Sequence, residues 1–294
     1  MTTFFQQILD GLTTGVVYAA IALSLVLVYR TSKLVNFAQA EMATFGAYLA
    51  WQFHAWGLGF PAAVLLAVLA SFAGGAVMER TLVRPLHAAN NHLALFVISL
   101  GILITLINVE AWIWGYDVKD VPSVVTGPAL AIGPVHLSRQ RLLIIAVAVV
   151  VAGLLWLLFQ RTRFGLAMRA AADNTPSAVL LGLPVHATMT FSWGIAAAIG
   201  TLMATLVAPQ QFLQPGMLLP VLLYAVAAAT LGGIDSPVGA IVGGLVVGVV
   251  ENLAGTYLPG IGQDFKAAVA FLIIMIVLLV RPQGVFGSRT VVRV

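Results

Sequence analysis

No cysteine occurs anywhere in the chain, which excludes disulfides, iron–sulfur clusters and thiolate chemistry. Charge is almost as scarce: 8% of the 294 residues are Asp, Glu, Lys or Arg, against roughly 25% in soluble domains. With 61% hydrophobic residues and a mean hydropathy of +1.04, the chain cannot clothe a water-facing surface and must present much of it to lipid. It also lacks a GxxxxGKS/T phosphate-binding loop, so it cannot hydrolyse ATP by that route, and GxSxG and HExxH are missing too. The histidines (His54, His87, His92, His136 and His186) are scattered without metal-ligand spacing. A net charge of +4 does not point to nucleic acid, because the basic residues recur at the ends of apolar runs instead of gathering into one patch.

What the sequence does have is long apolar runs. A helix needs about 20 apolar residues to cross a hydrocarbon core about 30 Å thick. That rule predicts an all-α polytopic bundle of about 8–9 spans: Ile8–Tyr29, Leu34–Trp56, Phe60–Met78, Leu93–Trp114, Arg141–Phe159, Ala187–Ala208, Met217–Leu231, Pro237–Gly255 and Phe265–Val280. The first run has no small-residue cleavage site after it and reads as a retained helix. The stretch 217–255 is broken by Gly232-Gly233-Ile234-Asp235-Ser236-Pro237, which fits either a tight hairpin or a pair of re-entrant half-helices. Residues 1–294 are expected to form one membrane domain. With nine spans and the N-terminus outside, the inner loops carry ten Lys and Arg against four on the outside (Lys119, Arg139, Arg141 and Lys266). The positive-inside rule therefore predicts a cytoplasmic C-terminus. Trp51, Trp56, Trp112, Trp114 and Tyr116 fall near the expected outer ends, at headgroup level. Gly11 with Gly15, Gly239 with Gly243, and Gly244 with Gly248 have the four-residue spacing of close helix packing or of a small-residue substrate path.

Polar groups inside apolar runs are the candidates for function. Asn36, Gln39 and Glu41 stand at the start of the second span, where Asn36 and Ala40 would share a helix face. Glu41 either faces the bundle interior or answers Arg30 or Lys33 at the cytoplasmic edge. Glu251 lies four residues before Gly255 and is either interfacial or part of a translocation pathway; Glu110, just before Trp112 and Trp114, reads as interfacial. Outside the membrane, the segment 161–186 carries its own helix punctuation. Thr175 can cap, Pro176 suits the first turn, Gly182 suits the C-terminal end and Pro184 forbids continuation. The result is a short helix, Pro176–Leu181, presenting Ala178, Val179, Leu180 and Leu181. Too short to stand alone in water, it needs a groove on a partner or a seat on its own bundle.

At this segment the sequence resembles the membrane permease subunits of branched-chain amino acid ABC importers, the hydrophobic amino acid uptake family. The resemblance runs through Gly11–Leu25, Val35-Asn-Phe-Ala-Gln-Ala-Glu41, Gly46-Ala-Tyr48, Glu79-Arg80, Arg84-Pro-Leu86, Thr162–Gly182, Leu231–Ala240 and Val280–Gly287. Two departures stand out: Gln39-Ala40 replaces the family's His-Gly, and Asp235 follows the seventh span. The resemblance implies a multi-pass subunit of a prokaryotic inner membrane and no cofactor of its own. It also implies a sister permease, two cytoplasmic ATP-binding cassette ATPases that use the ATP, and an extracytoplasmic binding protein. Within this chain, Arg163, Gly165, Arg169, Asp173, Pro176, Ala178, Val179, Leu180, Leu181 and Gly182 would couple to the ATPase, and Asn36, Gln39, Glu41 and Glu251 would belong to the pathway. Leu, Ile and Val are the family's usual cargo, with urea or other small amides as the alternative. From another class, an ion-coupled secondary transporter would use Glu41 and Glu251 as its proton or cation sites.

Overall fold

The computed structural model describes residues 2–88, 92–132, 135–173, 175–257 and 266–287. The order is α1 (Thr2–Ser32), α2 (Gln39–Ala55), α3 (Phe60–Met78), a π turn (Glu79–Val83), α4 (Arg84–Ala88) and α5 (His92–Trp114). A two-stranded antiparallel hairpin follows, β1 (Leu130–Ile132) with β2 (Val135–Leu137), in register Leu130 to Leu137. Then come α6 (Arg139–Arg161), α7 (Arg163–Asp173), α8 (Thr175–Leu180), α9 (Val185–Gln211), α10 (Leu219–Gly232), α11 (Pro237–Tyr257) and α12 (Lys266–Val280). Apart from the small hairpin, the regular structure described is helical, a polytopic membrane helical bundle.

Among the described residues, six helices are long and apolar enough to cross a membrane: Thr3–Ser32, Phe60–Leu86, Leu93–Trp114, Arg139–Arg161, Val185–Gln211 and Pro237–Tyr257. The remaining three expected spans correspond to shorter helices. The 17 residues of α2 rise only about 26 Å and the 14 of α10 about 21 Å, short of the hydrocarbon thickness. The described part of α12 has 15 residues, and Phe265 lies outside the described residues. The expected span from Leu34 begins as a helix only at Gln39. Asn36 sits in the turn before it, not on a helix face: its Oδ1 accepts from the Ala38 N–H at 3.1 Å and its carbonyl from the Gln39 N–H at 3.2 Å. A side chain that satisfies the backbone locally competes with the helix, so α2 starts after it.

The chain forms two compact units. The first comprises Met1–Val26, Val125–Ile145 and Pro220–Val294. Here the spaced glycines split α11 into two contact faces. A Cβ on Gly244 would lie 2.5 Å from the Ala19 N, one on Gly15 would meet the Gly244 carbonyl at 2.8 Å, and one on Gly11 the Val249 Cα at 2.7 Å. On the other face, a Cβ on Gly239 would sit 2.6 Å from the Gly232 carbonyl carbon, and one on Gly243 would be 2.9 Å from that of Ala228. The glycines are packing surfaces for α1 and α10, where backbones touch because no side chain stands between them. The break between α10 and α11 is a tight hairpin: Gly233 turns at φ +107, and the Ser236 hydroxyl caps α11 through the Gly239 N–H at 3.0 Å. The last carbonyls of α10 are satisfied from further along the chain, Leu231 by the Val285 N–H at 2.8 Å and Gly232 by the Phe286 N–H at 2.9 Å.

The second unit comprises Leu27–Val124 and Ala146–Leu219. Its centre is α9, packed against α2 and α3. Trp193 is completely enclosed, and a Cβ on Gly75 of α3 would lie 2.7 Å from its carbonyl oxygen. Gly46 of α2 faces Thr201 of α9 with no room for a side chain. The loop after α5 is tied down where the Lys119 N–H donates to the Leu213 carbonyl at 2.8 Å. Trp112 and Tyr116 are exposed here, at 85% and 75%, as are Trp56 and Phe212.

Candidate functional site

Asn36, Gln39 and Glu41 are all fully enclosed within the second unit. The Gln39 Nε2 donates to the Ala196 carbonyl of α9 at 2.8 Å, and the Asn36 Nδ2 points to the Met42 sulfur at 3.4 Å. Glu41 does not answer Arg30 or Lys33. Arg30 lies over the Phe159 ring at 5.5 Å and Lys33 over Tyr29 at 5.7 Å. Glu41 instead faces Glu110 of α5 at close range. Glu110 is as deeply buried as Glu41. No side-chain donor among the described residues reaches the carboxyl oxygens of either acid, and the backbone of Gly216 lies beside Glu41. The hydroxyl of Tyr48, also buried and unpartnered, belongs to the same neighbourhood, its ring stacked 4.7 Å from that of Trp114. Two carboxylates set together in an apolar interior repel each other when both are ionised. The sequence did carry a signal for Glu110: Ser99, Ile102, Leu106 and Glu110 follow one another at helical spacing, and all are buried.

Glu251 belongs to the first unit and is 6% exposed. The Tyr18 hydroxyl donates to its Oε2 at 2.8 Å, and Tyr18 stacks on Tyr224 at 4.8 Å. One turn along the same interface, the Asn252 Nδ2 donates to the Thr14 hydroxyl at 3.1 Å. The four candidate pathway residues are thus divided between the units, three in the second and one in the first.

The segment 161–186 forms two helices, α7 as well as the expected short one. Thr162 caps α7 by accepting from the Gly165 N–H at 3.0 Å. Gly165 is pressed against the end of α6, where a Cβ would come 2.6 Å from the Phe159 carbonyl carbon. The guanidinium of Arg169 donates to that same Phe159 carbonyl, while Arg163 is exposed. α8 ends as its sequence dictates: Gly182 takes φ +74, its N–H returns to Val179 and the Leu183 N–H reaches the Ala178 carbonyl at 3.0 Å. Ala178 is not presented outward. It packs at 2% exposure with Ala171, Val185 and Met189, which seats α8 on α7 and α9. Val179, Leu180 and Leu181 form the free face, at 55%, 88% and 79% exposure. The side chains of Asp173 and Pro176 lie outside what is described.

One further cluster went unrecognised in the sequence. Glu79, fully buried in the π turn, receives the Nε and Nη2 of Arg84 at 3.3 and 2.9 Å and the Thr190 hydroxyl at 2.7 Å. This ties the exit of α3 to the first turns of α9, close to the seat of α8. Removing one partner of a buried pair costs about 3–5 kcal/mol, while replacing both with apolar groups is often nearly neutral. Glu79→Ala is therefore expected to lower the thermal unfolding midpoint in detergent well below that of Glu79→Met with Arg84→Met. Equal midpoints would show that the pair contributes nothing beyond packing.

Comparison with known proteins places these features. A family described as branched-chain amino acid transport system / permease component matches residues 7–278. The chain belongs to that family. The high-affinity branched-chain amino acid transport system permease protein BraD of Pseudomonas aeruginosa is 31% identical over 99% of this chain and 98% of its own length. LivH of Escherichia coli K12, a permease of the same description, is 31% identical over the same shares. The probable branched-chain amino acid transport permease LivH of Methanocaldococcus jannaschii is 29% identical over 96% of this chain and 92% of its own. Among solved structures, PsaBC from Streptococcus pneumoniae in complex with Fab aligns at TM-score 0.49 and 14% identity over 95% of this chain and 91% of that one, too low a likeness to argue from. The protein is thus a multi-pass membrane permease, a non-catalytic component of a transport system.

Proposed function

We propose that this permease carries Leu, Ile and Val inward across the cytoplasmic membrane, with its N-terminus outside and its C-terminus inside. It works with a sister permease, two cytoplasmic ATPases that use the ATP, and an extracytoplasmic binding protein; it needs no cofactor of its own. The observation that carries this reading is the free face of α8. Three large apolar side chains stand exposed at the end of a six-residue helix and on the residue after it, while the helix's other side is already seated, and such a tip fits a groove on a partner. ATP-driven closure of the ATPases would move α8, and with it α7 and the start of α9. Asn36, Gln39, Glu41 and Glu251 are the polar groups assigned to the pathway. All four are closed to solvent here, so contact with substrate requires the alternate, open state.

Two experiments test this. The complex purified in mild detergent is expected to contain ATPases whose hydrolysis rises with leucine-loaded binding protein, and Val179→Asp or Leu180→Asp is expected to remove that rise. Gly182→Pro should do the same, since proline cannot adopt φ +74. Undiminished stimulation in these variants would sink the coupling role of α8. Vesicles holding the complex should accumulate labelled leucine in preference to urea; the reverse preference would overturn the cargo.

A further inference from the structure

Beside the Glu79–Arg84 pair a cleft of about 310 Å³ opens between α3 and α9. Phe72 and Ala76 form one wall, Ala187 and Phe191 the other, and Arg80 and Arg84 line it as well. Arg84 gives its Nε and Nη2 to Glu79, Thr190 and the His186 carbonyl, and its Nη1 has no partner among the described residues. Arg80 is exposed and unpaired among the described residues. Because Glu79 neutralises Arg84, the cleft keeps the single positive charge of Arg80 above an aromatic and aliphatic floor. The neighbouring face of α3 is apolar and exposed at Leu69 and Val77, so the floor continues into lipid-facing surface.

We propose that this cleft is a binding site for one anionic phospholipid. The phosphate lies between Arg80 and the free edge of Arg84, and one acyl chain lies along Phe72, Ala76, Ala187 and Phe191. A free anion would be served by the arginines but has no use for the apolar floor, and a zwitterionic lipid gains less from the uncompensated charge. In the orientation proposed above, both arginines stand at the cytoplasmic headgroup level. The seat adjoins the coupling segment: Phe191 meets Phe72 edge-on at 5.5 Å and Phe164 of α7 at 4.4 Å. Occupancy would therefore brace the contact of α7 with α9, and membrane composition would bear on coupling.

Native mass spectrometry of the full-length protein, extracted in mild detergent and offered phosphatidylglycerol and phosphatidylcholine together, tests this. Preferential retention of phosphatidylglycerol is expected. Arg80→Gln should weaken that retention about fivefold, the loss expected of one basic residue at a membrane surface, and Arg80→Lys should keep most of it. Ala187→Phe, which fills the floor, should weaken retention without lowering the unfolding midpoint. Equal retention of the two lipids, unchanged retention in Arg80→Gln, or displacement of the lipid by inorganic phosphate would each overturn the proposal. The readout involves no cargo and no ATPase, so it stands or falls separately from the transport reading.

Discussion

Replacing Gly248 by leucine is expected to abolish recovery of folded protein, while Gly153→Ala leaves it unchanged. A side chain at Gly248 would be driven into the backbone of Gly15 and to 2.5 Å from the Gly11 carbonyl, whereas Gly153 of α6 has open space around it. Overpacking ordinarily costs about 1–3 kcal/mol because neighbouring side chains can yield. Here the neighbour is main chain, so α1 and α11 must separate, and the Tyr18–Glu251 and Thr14–Asn252 hydrogen bonds separate with them. With total stabilities of about 5–15 kcal/mol, loss of a whole helix interface is enough to unfold the unit. The yield of monodisperse protein after detergent extraction measures the outcome. A Gly248→Leu protein recovered at wild-type yield would mean that α1 and α11 do not depend on this contact.

The second large effect is expected at Glu110. Glu110→Leu removes the polar group that faces Glu41 and leaves that buried acid with an apolar neighbour, at a cost of about 1–3 kcal/mol or more. Glu110→Gln nearly conserves shape and supplies an amide donor to the Glu41 carboxylate. The leucine variant should therefore melt earlier and transport poorly, while the glutamine variant keeps its midpoint. Equal midpoints in the two variants would show that the pair does not hold α2 against α5.

Where an element announces itself locally, the sequence could be read closely. α3 was expected at Phe60–Met78 and is found there, because Pro61 opens it and an unbroken apolar run fills it. α8 was legible to within a residue because Pro176, Gly182 and Pro184 act through their own backbones. Asn36 misled because its side-chain bond to the Ala38 N–H, a local effect, outweighed the apolar periodicity that would have extended α2 back to Leu34. The burial of Glu110 was legible in its place on the Ser99–Ile102–Leu106 stripe, which turns it inward.

Composition alone determined that this chain lives in a membrane, since so few charges cannot cover a surface in water. Motif order was enough for the permease family, and punctuation marked out the helix that reaches for a partner. Only the tertiary structure decided which polar groups meet. Depth in a bilayer and the partner across a helix interface depend on residues far apart in the chain: Glu41 finds Glu110 instead of Arg30, Tyr18 finds Glu251, and Thr190 finds Glu79. Helical periodicity tells which way a side chain points, but what it meets depends on how the helices pack.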